Sequence, residues 1–302
     1  MPDFTDPNQS LQRPMQFSTT IWDVEHGGAA FVVCPNNKSI LFDAGCSESF
    51  SPALALRQAG FGPHRRIDQL VISHPDADHI NDLPQVYTYL KPRILRRNKT
   101  IPDALVYGGP GGTPESEAKR IYKLMHETYV HPIAPSDAAA VALNWGGVEK
   151  AFYYVNAARY PELAGGRSCN NYSIVAVLRY GVTTIVFPGD IEAAGMEILS
   201  SETDLLQRVS STEFRILIAP HHGRRAGVST TFLGAMRPSL TIMSDVHGAE
   251  TTDYRTYTDY SQGLKVVDSE TAAVRVAKIV TTKSNSAIHL LASPEELLVR
   301  LY

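Results

Sequence analysis

Apolar and polar positions along the chain fall into short alternating blocks, not into one long periodic stretch. Thr19–Val24, Ala30–Cys34, Ser39–Asp43 and Asp68–Ser73 read as strands, the last with the uninterrupted Leu70-Val71-Ile72 of a strand buried on both faces. Helices are expected at Ser51–Gly60, Asn81–Leu90 and Glu115–Glu127, where Ala118, Ile121, Leu124 and Met125 would share one apolar face. The second half repeats the logic with strands Ala151–Val155, Ser173–Tyr180, Val182–Phe187, Phe214–Ala219 and Ser239–Met243, and with helices Glu192–Val209 and Thr230–Met236. The tail from Leu264 to Leu291 alternates β-branched and polar residues and is expected to complete the second sheet. Two mixed sheets with helices outside make an α/β protein of αββα sandwich type. The pattern predicts one domain over residues 17–302, after a polar extension at 1–16.

The densest chemistry follows the strand at Asp68–Ser73. His74, Asp76, Asp78 and His79 put four metal-competent side chains into six positions. Imidazole and carboxylate together suit Zn²⁺, and extra carboxylate oxygens favour harder ions such as Mn²⁺. The plainer reading is a solvated loop in which Asp78 caps the helix that follows. Two later strands also end on ligand types: Val182–Phe187 leads into Pro188-Gly189-Asp190, and Phe214–Ala219 into Pro220-His221-His222-Gly223. Asp190 taken singly is as much a helix cap as a ligand, but three such strand ends in one chain point to a shared metal site.

These motifs resemble the metallo-β-lactamase superfamily, whose usual H-x-H-x-D-H carries Asp76 here at its second His. Together with Trp22-Asp23-Val24-Glu25-His26-Gly27-Gly28 and Ser39-Ile40-Leu41-Phe42-Asp43-Ala44-Gly45, they are most similar to the branch containing the hydrolase domain of the bacterial competence DNA-uptake channel. The resemblance runs from about Phe17 to His289 and implies two divalent metal ions. His74 and Asp76 would hold the first, Asp78 and His79 the second, and Asp190 both. His222 is favoured to complete the second site and His221 to contact the substrate's negative charge, although the sequence by itself does not order the two. Where the superfamily supplies a further His, this chain has Ser168-Cys169-Asn170-Asn171, so Asn170 is either a weak neutral ligand or an ordinary loop residue. His126 or His131 could stand in for the missing imidazole. Cys169 is more readily a small buried hydrophobe. His26, Asp245 and His247 are further candidates beside the metals.

Composition narrows the function. The chain has 302 residues, 43% of them hydrophobic, enough for a sizeable core. Its three cysteines are too scattered for a disulfide framework. No signal peptide or membrane span is visible, so a soluble cytoplasmic protein without membrane contact is expected. A net charge of −3 argues against coating nucleic acid by bulk electrostatics. A local patch remains open: Lys91, Arg93, Arg96, Arg97 and Lys99 put five positive charges into nine residues, as a solvated loop or as a phosphate-tracking groove. Arg224 and Arg225, directly after the His pair, are better placed to reach a phosphoryl oxygen. Gly108–Gly112 reads as a mobile loop and lacks the Lys-Ser/Thr of a nucleotide P-loop.

The resemblance therefore implies a binuclear hydrolase in which a hydroxide shared by two ions attacks the substrate. Asp76 or Asp78 would take the water's proton, and His221 and Arg224 would contact the substrate. The substrate expected is a phosphodiester, foremost DNA or RNA. A small phosphodiester such as a cyclic nucleotide or choline-type ester is the runner-up, and a non-catalytic metal-binding scaffold is the alternative of another class.

Overall fold

The computed structural model describes residues 16–107, 116–164, 168–244 and 251–302. Its strands in chain order are β1 (Phe17–Trp22), β2 (Ala30–Val33), β3 (Ser39–Phe42), β4 (Gln69–Val71), β5 (Ile94–Arg96), β6 (Glu149–Tyr153), β7 (Val175–Tyr180), β8 (Thr183–Phe187), β9 (Phe214–Ile218) and β10 (Leu240–Met243). The tail adds β11 (Leu264–Asp268), β12 (Val274–Ala277), β13 (Ile279–Thr281), β14 (Ala287–Ala292) and β15 (Leu297–Leu301). Among the described residues these form a nine-stranded sheet, β12-β11-β15-β14-β1-β2-β3-β4-β5, and a six-stranded sheet, β13-β10-β9-β8-β7-β6. Both sheets are mixed, and helices cover their outer faces.

Side-chain alternation shows why central strands read as unbroken apolar runs. Ile40 and Phe42 of β3 face the core between the sheets while Leu41 faces the helical layer; Ile185 and Phe187 of β8 alternate in the same way with Val186. The two sheets meet where the rings of Phe42 and Phe187 stack, 4.1 Å apart and 4° from parallel. Both phenylalanines stand at strand ends, immediately before the loops that carry the polar site.

The tail differs from expectation. Only β13 joins the second sheet, parallel to β10, whereas β14 pairs antiparallel with β1 and carries β15, β11 and β12 outward into the first sheet. The β1 edge leaves backbone groups that need partners, and β14 supplies them, a constraint that alternation along the tail does not report. Other elements shift more modestly. The expected helix Asn81–Leu90 is a three-residue helical turn, Leu83–Gln85, running into a π-turn, Val86–Leu90. The span 192–209 breaks into helices Ala193–Glu202 and Leu205–Val209. Helix Glu117–Thr128 buries Ala118, Tyr122 and Met125, and leaves Leu124 38% exposed. Strands β5 and β15 and the helix Tyr254–Tyr260 were not expected.

The basic stretch 91–99 is neither a solvated loop nor an open groove. It contains β5, paired parallel to β4. The guanidinium of Arg96 lies over the Phe152 ring. Arg97 is buried and donates to the carbonyl oxygens of Leu95, His126 and Tyr129, closing the end of helix Glu117–Thr128. Arg93 pairs with Asp68 and Asp137. His126 accepts from Arg97 Nε through Nδ1, and exposed His131 lines a surface groove with Arg93 and Asp137, so neither stands in for a missing metal ligand.

Lys150 of β6 is a buried amine: Nζ donates to Gln69 Oε1 at 2.8 Å and sits over the Trp145 ring. Burial pushes its ammonium down to about 6.

Two predictions follow from this packing. Arg97→Glu is expected to cost about 3–5 kcal/mol of stability, the range for breaking a buried charged network, read as a lower urea midpoint. Unchanged stability would contradict the helix-closing role. For Lys150 the unfolded side chain holds its proton to about pH 10, so from about pH 6 to 10 the unfolded state binds the extra proton and this residue makes stability rise with pH. The urea midpoint of wild type minus that of Lys150→Met should therefore increase as pH is raised across that window; a pH-independent difference would refute it.

Candidate metal centre

Strand direction brings the three sequence clusters together. Strands β8 and β9 are adjacent and parallel, so their exit loops, 188–190 and 219–223, leave side by side. The β4 exit loop meets them from the other sheet across the Phe42–Phe187 stack. This is the open end of parallel strands, where α/β folds place their sites.

Four ligand atoms, one each from Asp78, His79, Asp190 and His222, lie within 4.8 Å of one another. His79 Nε2 is 3.0 Å from Asp190 Oδ1 and 3.4 Å from His222 Nε2. His222 Nε2 is in turn 3.4 Å from Asp78 Oδ2 and 3.3 Å from Asp190 Oδ2. Beside them His74 is buried, with Nδ1 3.1 Å from Ser73 Oγ and Nε2 3.6 Å from Asp76 Oδ2. His74 Nε2 has no hydrogen-bond partner, which is costly for a buried polar atom unless an ion takes its lone pair. The caps expected of the carboxylates are absent. Asp78 lies inside helix Ala77–Ile80, whose cap position is held by Asp76 without a side-chain cap bond, and the helix after Asp190 starts from Glu192, also without one.

Electrostatics show what the cluster lacks. Burial would raise Asp190, yet the charges of His222 and His79 hold it well below the usual carboxylate range. Burial would likewise lower His222, but Asp190 pushes it up to about 9, and Asp190 with Asp43 pushes His79 well up. Asp78 is held low by the hydrogen bond from His222 and the charge of His79, against its own burial. His74, without a close enough carboxylate, is lowered by burial and by His79. The two buried carboxylates thus demand positive charge, and two imidazole nitrogens facing one another at 3.4 Å supply it poorly as protons. A divalent cation satisfies both requirements, so the donor set fits a metal.

Sequence reasoning missed Asp43 as part of this site. Its Oδ2 accepts from His79 Nδ1 at 2.8 Å, and the same carboxylate accepts from Ser73 N–H at 2.6 Å and Ser73 Oγ at 2.8 Å. Because a carboxylate only accepts, Nδ1 carries a proton, and the ring is held with Nε2 turned to the cluster, where it would meet an ion. The available signal was a carboxylate directly after the apolar strand β3, followed by Ala44-Gly45. Glu192 was also missed: it accepts from the side-chain amides of Asn170 (3.3 Å) and Asn171 (3.1 Å) and lies 3.8 Å from His221 Nδ1. Asn170 therefore commits its nitrogen to Glu192, in a buried turn where an imidazole was expected. Cys169 is fully buried and its thiol is pushed up to about 12, in keeping with a packing role.

The remaining candidates separate cleanly. His221 Nε2 lies 3.9 Å from Asp190 Oδ2, outside the four-atom cluster that His222 joins. Both histidines hold left-handed backbone, φ 49° and 57°, which is strained for residues with a side chain and turns His222 inward. His26 Nε2 is 3.3 Å from Asp78 Oδ2, and Arg224 lies beside His221. Asp245, His247 and Gly108–Gly112 fall outside the described residues.

Removing the orienting carboxylate tests the geometry. Asp43→Asn is expected to weaken metal retention about 10–100-fold, the usual effect of losing a ligand's hydrogen-bond partner, measured by competition with a chelator. Retention equal to wild type would show that Asp43 does not orient His79.

Comparison with known proteins agrees with this architecture. Residues 24–142 match the family model described as the metallo-beta-lactamase superfamily. Over 230 residues, 75% of this chain, the sequence is 25% identical to competence protein ComA of Neisseria gonorrhoeae; the match covers 27% of that protein, so the chain spans about a quarter of its length. Among solved structures, the diiron beta-hydroxylase CmlA of Streptomyces venezuelae gives a TM-score of 0.44 at 14% identity, covering 79% of this chain and 48% of that one, and a mutant of the same enzyme scores alike. A likeness at that level carries no argument about activity. The family match over residues 24–142, the two packed mixed sheets and the strand-end motifs make the chain similar to the metallo-β-lactamase superfamily and to competence protein ComA.

Proposed function

We propose that the protein is a metal-dependent hydrolase of phosphodiesters, with DNA or RNA as its leading substrate. The observation that carries the hydrolase reading is the convergence of Asp78, His79, Asp190 and His222 beside the unpartnered Nε2 of His74. His74 and Asp76 would hold one divalent ion, Asp78, His79 and His222 a second, and Asp190 both. Zn²⁺ or Mn²⁺ bound there supplies Lewis acidity that acidifies water and neutralises charge on the attacked centre.

The chain's own residues do the rest. Asp43 fixes the His79 ring, and Ser73 holds both Asp43 and His74. Asp76, whose side chain is 32% exposed, is the carboxylate open to receive a proton from water at Oδ2. The similarity to a competence protein favours nucleic acid as the substrate. One observation favours the runner-up, a small phosphodiester: Arg96 and Arg97 are engaged in packing and helix closure, which removes them from any polymer track near the site. No helix among the described residues is long and apolar enough to cross a membrane.

Labelled single- and double-stranded DNA, RNA and a small chromogenic phosphodiester, each assayed with added Mn²⁺ or Zn²⁺, decide between these readings. Nucleic acid should be cut, with activity falling steeply as salt rises because phosphate contacts release counterions. Turnover of the small ester alone would select the runner-up, and inertness toward all with metal bound would select a scaffold. Asp190→Ala should lower activity about 10³-fold, as loss of a key electrostatic group does, whereas Asn170→Ala should leave most of it. Equal losses would contradict the bridging assignment.

A further inference from the structure

The geometry points to an anion clamp that spans the two sheets, made by His26, His221 and Arg224, in which His26 is a positioning residue that makes the site select charged over neutral esters. The inference rests on the phosphodiester reading and names how that site recognises its substrate. Arg224 Nη1 is 3.3 Å from His221 Nε2, and Nη2 is 3.4 Å from His26 Nε2. A guanidinium is always charged and only donates, so the imidazole nitrogen that meets it accepts. Among the described residues no carboxylate forms an ion pair with Arg224, while the candidate metal ligands Asp78 and Asp190 lie one imidazole away. A partly exposed, fixed and uncompensated guanidinium at the mouth of a hydrolytic site fits a substrate oxyanion, and its planar fork matches the non-bridging oxygens of a phosphate ester.

The clamp is built, not accidental to two flexible side chains. His26 rides on the turn between β1 and β2, and Gly27 seats that turn: at φ +139° its Cβ position is 2.3 Å from the Asp78 carbonyl oxygen, so no other residue fits. Ser244 Oγ donates to the Gly27 carbonyl at 2.7 Å, tying the turn to the end of β10 in the opposite sheet. From the other side Arg224 pairs through its backbone with Thr252, and Arg225 N–H donates to the Thr251 carbonyl at 3.0 Å. Each sheet therefore delivers part of the clamp on a backbone fixed by hydrogen bonds, and the Ser244 bond ties the His26 turn to the opposite sheet.

Inorganic phosphate is the probe, titrated by calorimetry into the full chain, both metal-loaded and chelator-stripped. Arg224→Gln should weaken phosphate binding about tenfold in both forms, the worth of one charged hydrogen-bonding group. His26→Leu should weaken it several-fold, and His26→Gln, which keeps an acceptor for the guanidinium, should restore it. With metal bound, His26→Leu should raise KM for a charged chromogenic phosphodiester while kcat, and turnover of a neutral methylphosphonate ester, stay nearly constant. Phosphate affinity unchanged in both Arg224→Gln and His26→Leu, or parallel loss of charged and neutral substrates, would overturn the clamp. If no phosphodiester is turned over at all, the functional reading fails alone, because the phosphate titration still decides the clamp.

Discussion

The carboxylate of Asp190, nearly sealed from water between two sheets, is the constraint on which the rest of the site depends. A buried carboxylate is tolerated only with positive charge or donors against it. Here His79 approaches at 3.0 Å and His222 at 3.3 Å, each from a different loop. Those loops must end within hydrogen-bond reach of one another, so the pairing of β8 with β9 and the stacking of Phe42 on Phe187 become requirements of the chemistry as well as of the core. The same demand for positive charge makes the pocket a cation site.

Backbone conformations that side chains resist occur where the loops converge. His221 and His222 both sit at positive φ, and Asp43 does too, at 55°. Gly189, at φ 57°, has its Cβ position 2.5 Å from the Ser73 side chain, so the loop that delivers Asp190 can approach the β4 exit only through a glycine. Strain of this kind is held by surrounding structure, and here that structure is the zipped contact between the two sheets' loops.

Arginines illustrate how one residue type takes opposite roles. Arg97 closes a helix end and Arg96 lies on an aromatic face, both withdrawn from solvent, whereas Arg224 is suspended between two histidines with no carboxylate partner among the described residues. A run of positive charge in a sequence reports density and not direction. In β5 that density serves packing, and Arg224 after the His pair stands between two histidines of the candidate site.

The strand-end motifs, the αββα class and the grouping of Asp78, His79, Asp190 and His222 are legible in the chain, because apolar runs define strands and ligand types cluster where strands stop. Periodicity is a local quantity, so it marked the tail from Leu264 to Leu291 as strand-forming and could not say that β14 crosses to the edge of β1. Nor could it order His221 and His222, which are neighbours with the same chemistry; only the folded chain shows that the buried His222 joins the cluster and His221 stands outside it. Asp43 and Glu192 acquire their roles only through partners 30 or more positions away in the first case and about 20 in the second, distances that folding closes. Residue chemistry by itself determined that this protein gathers metal ligands at the ends of its strands. Tertiary structure decided which of them share a charge, which is held in orientation, and which stands nearer solvent, because those properties belong to separations across two sheets and not to spacing along one chain.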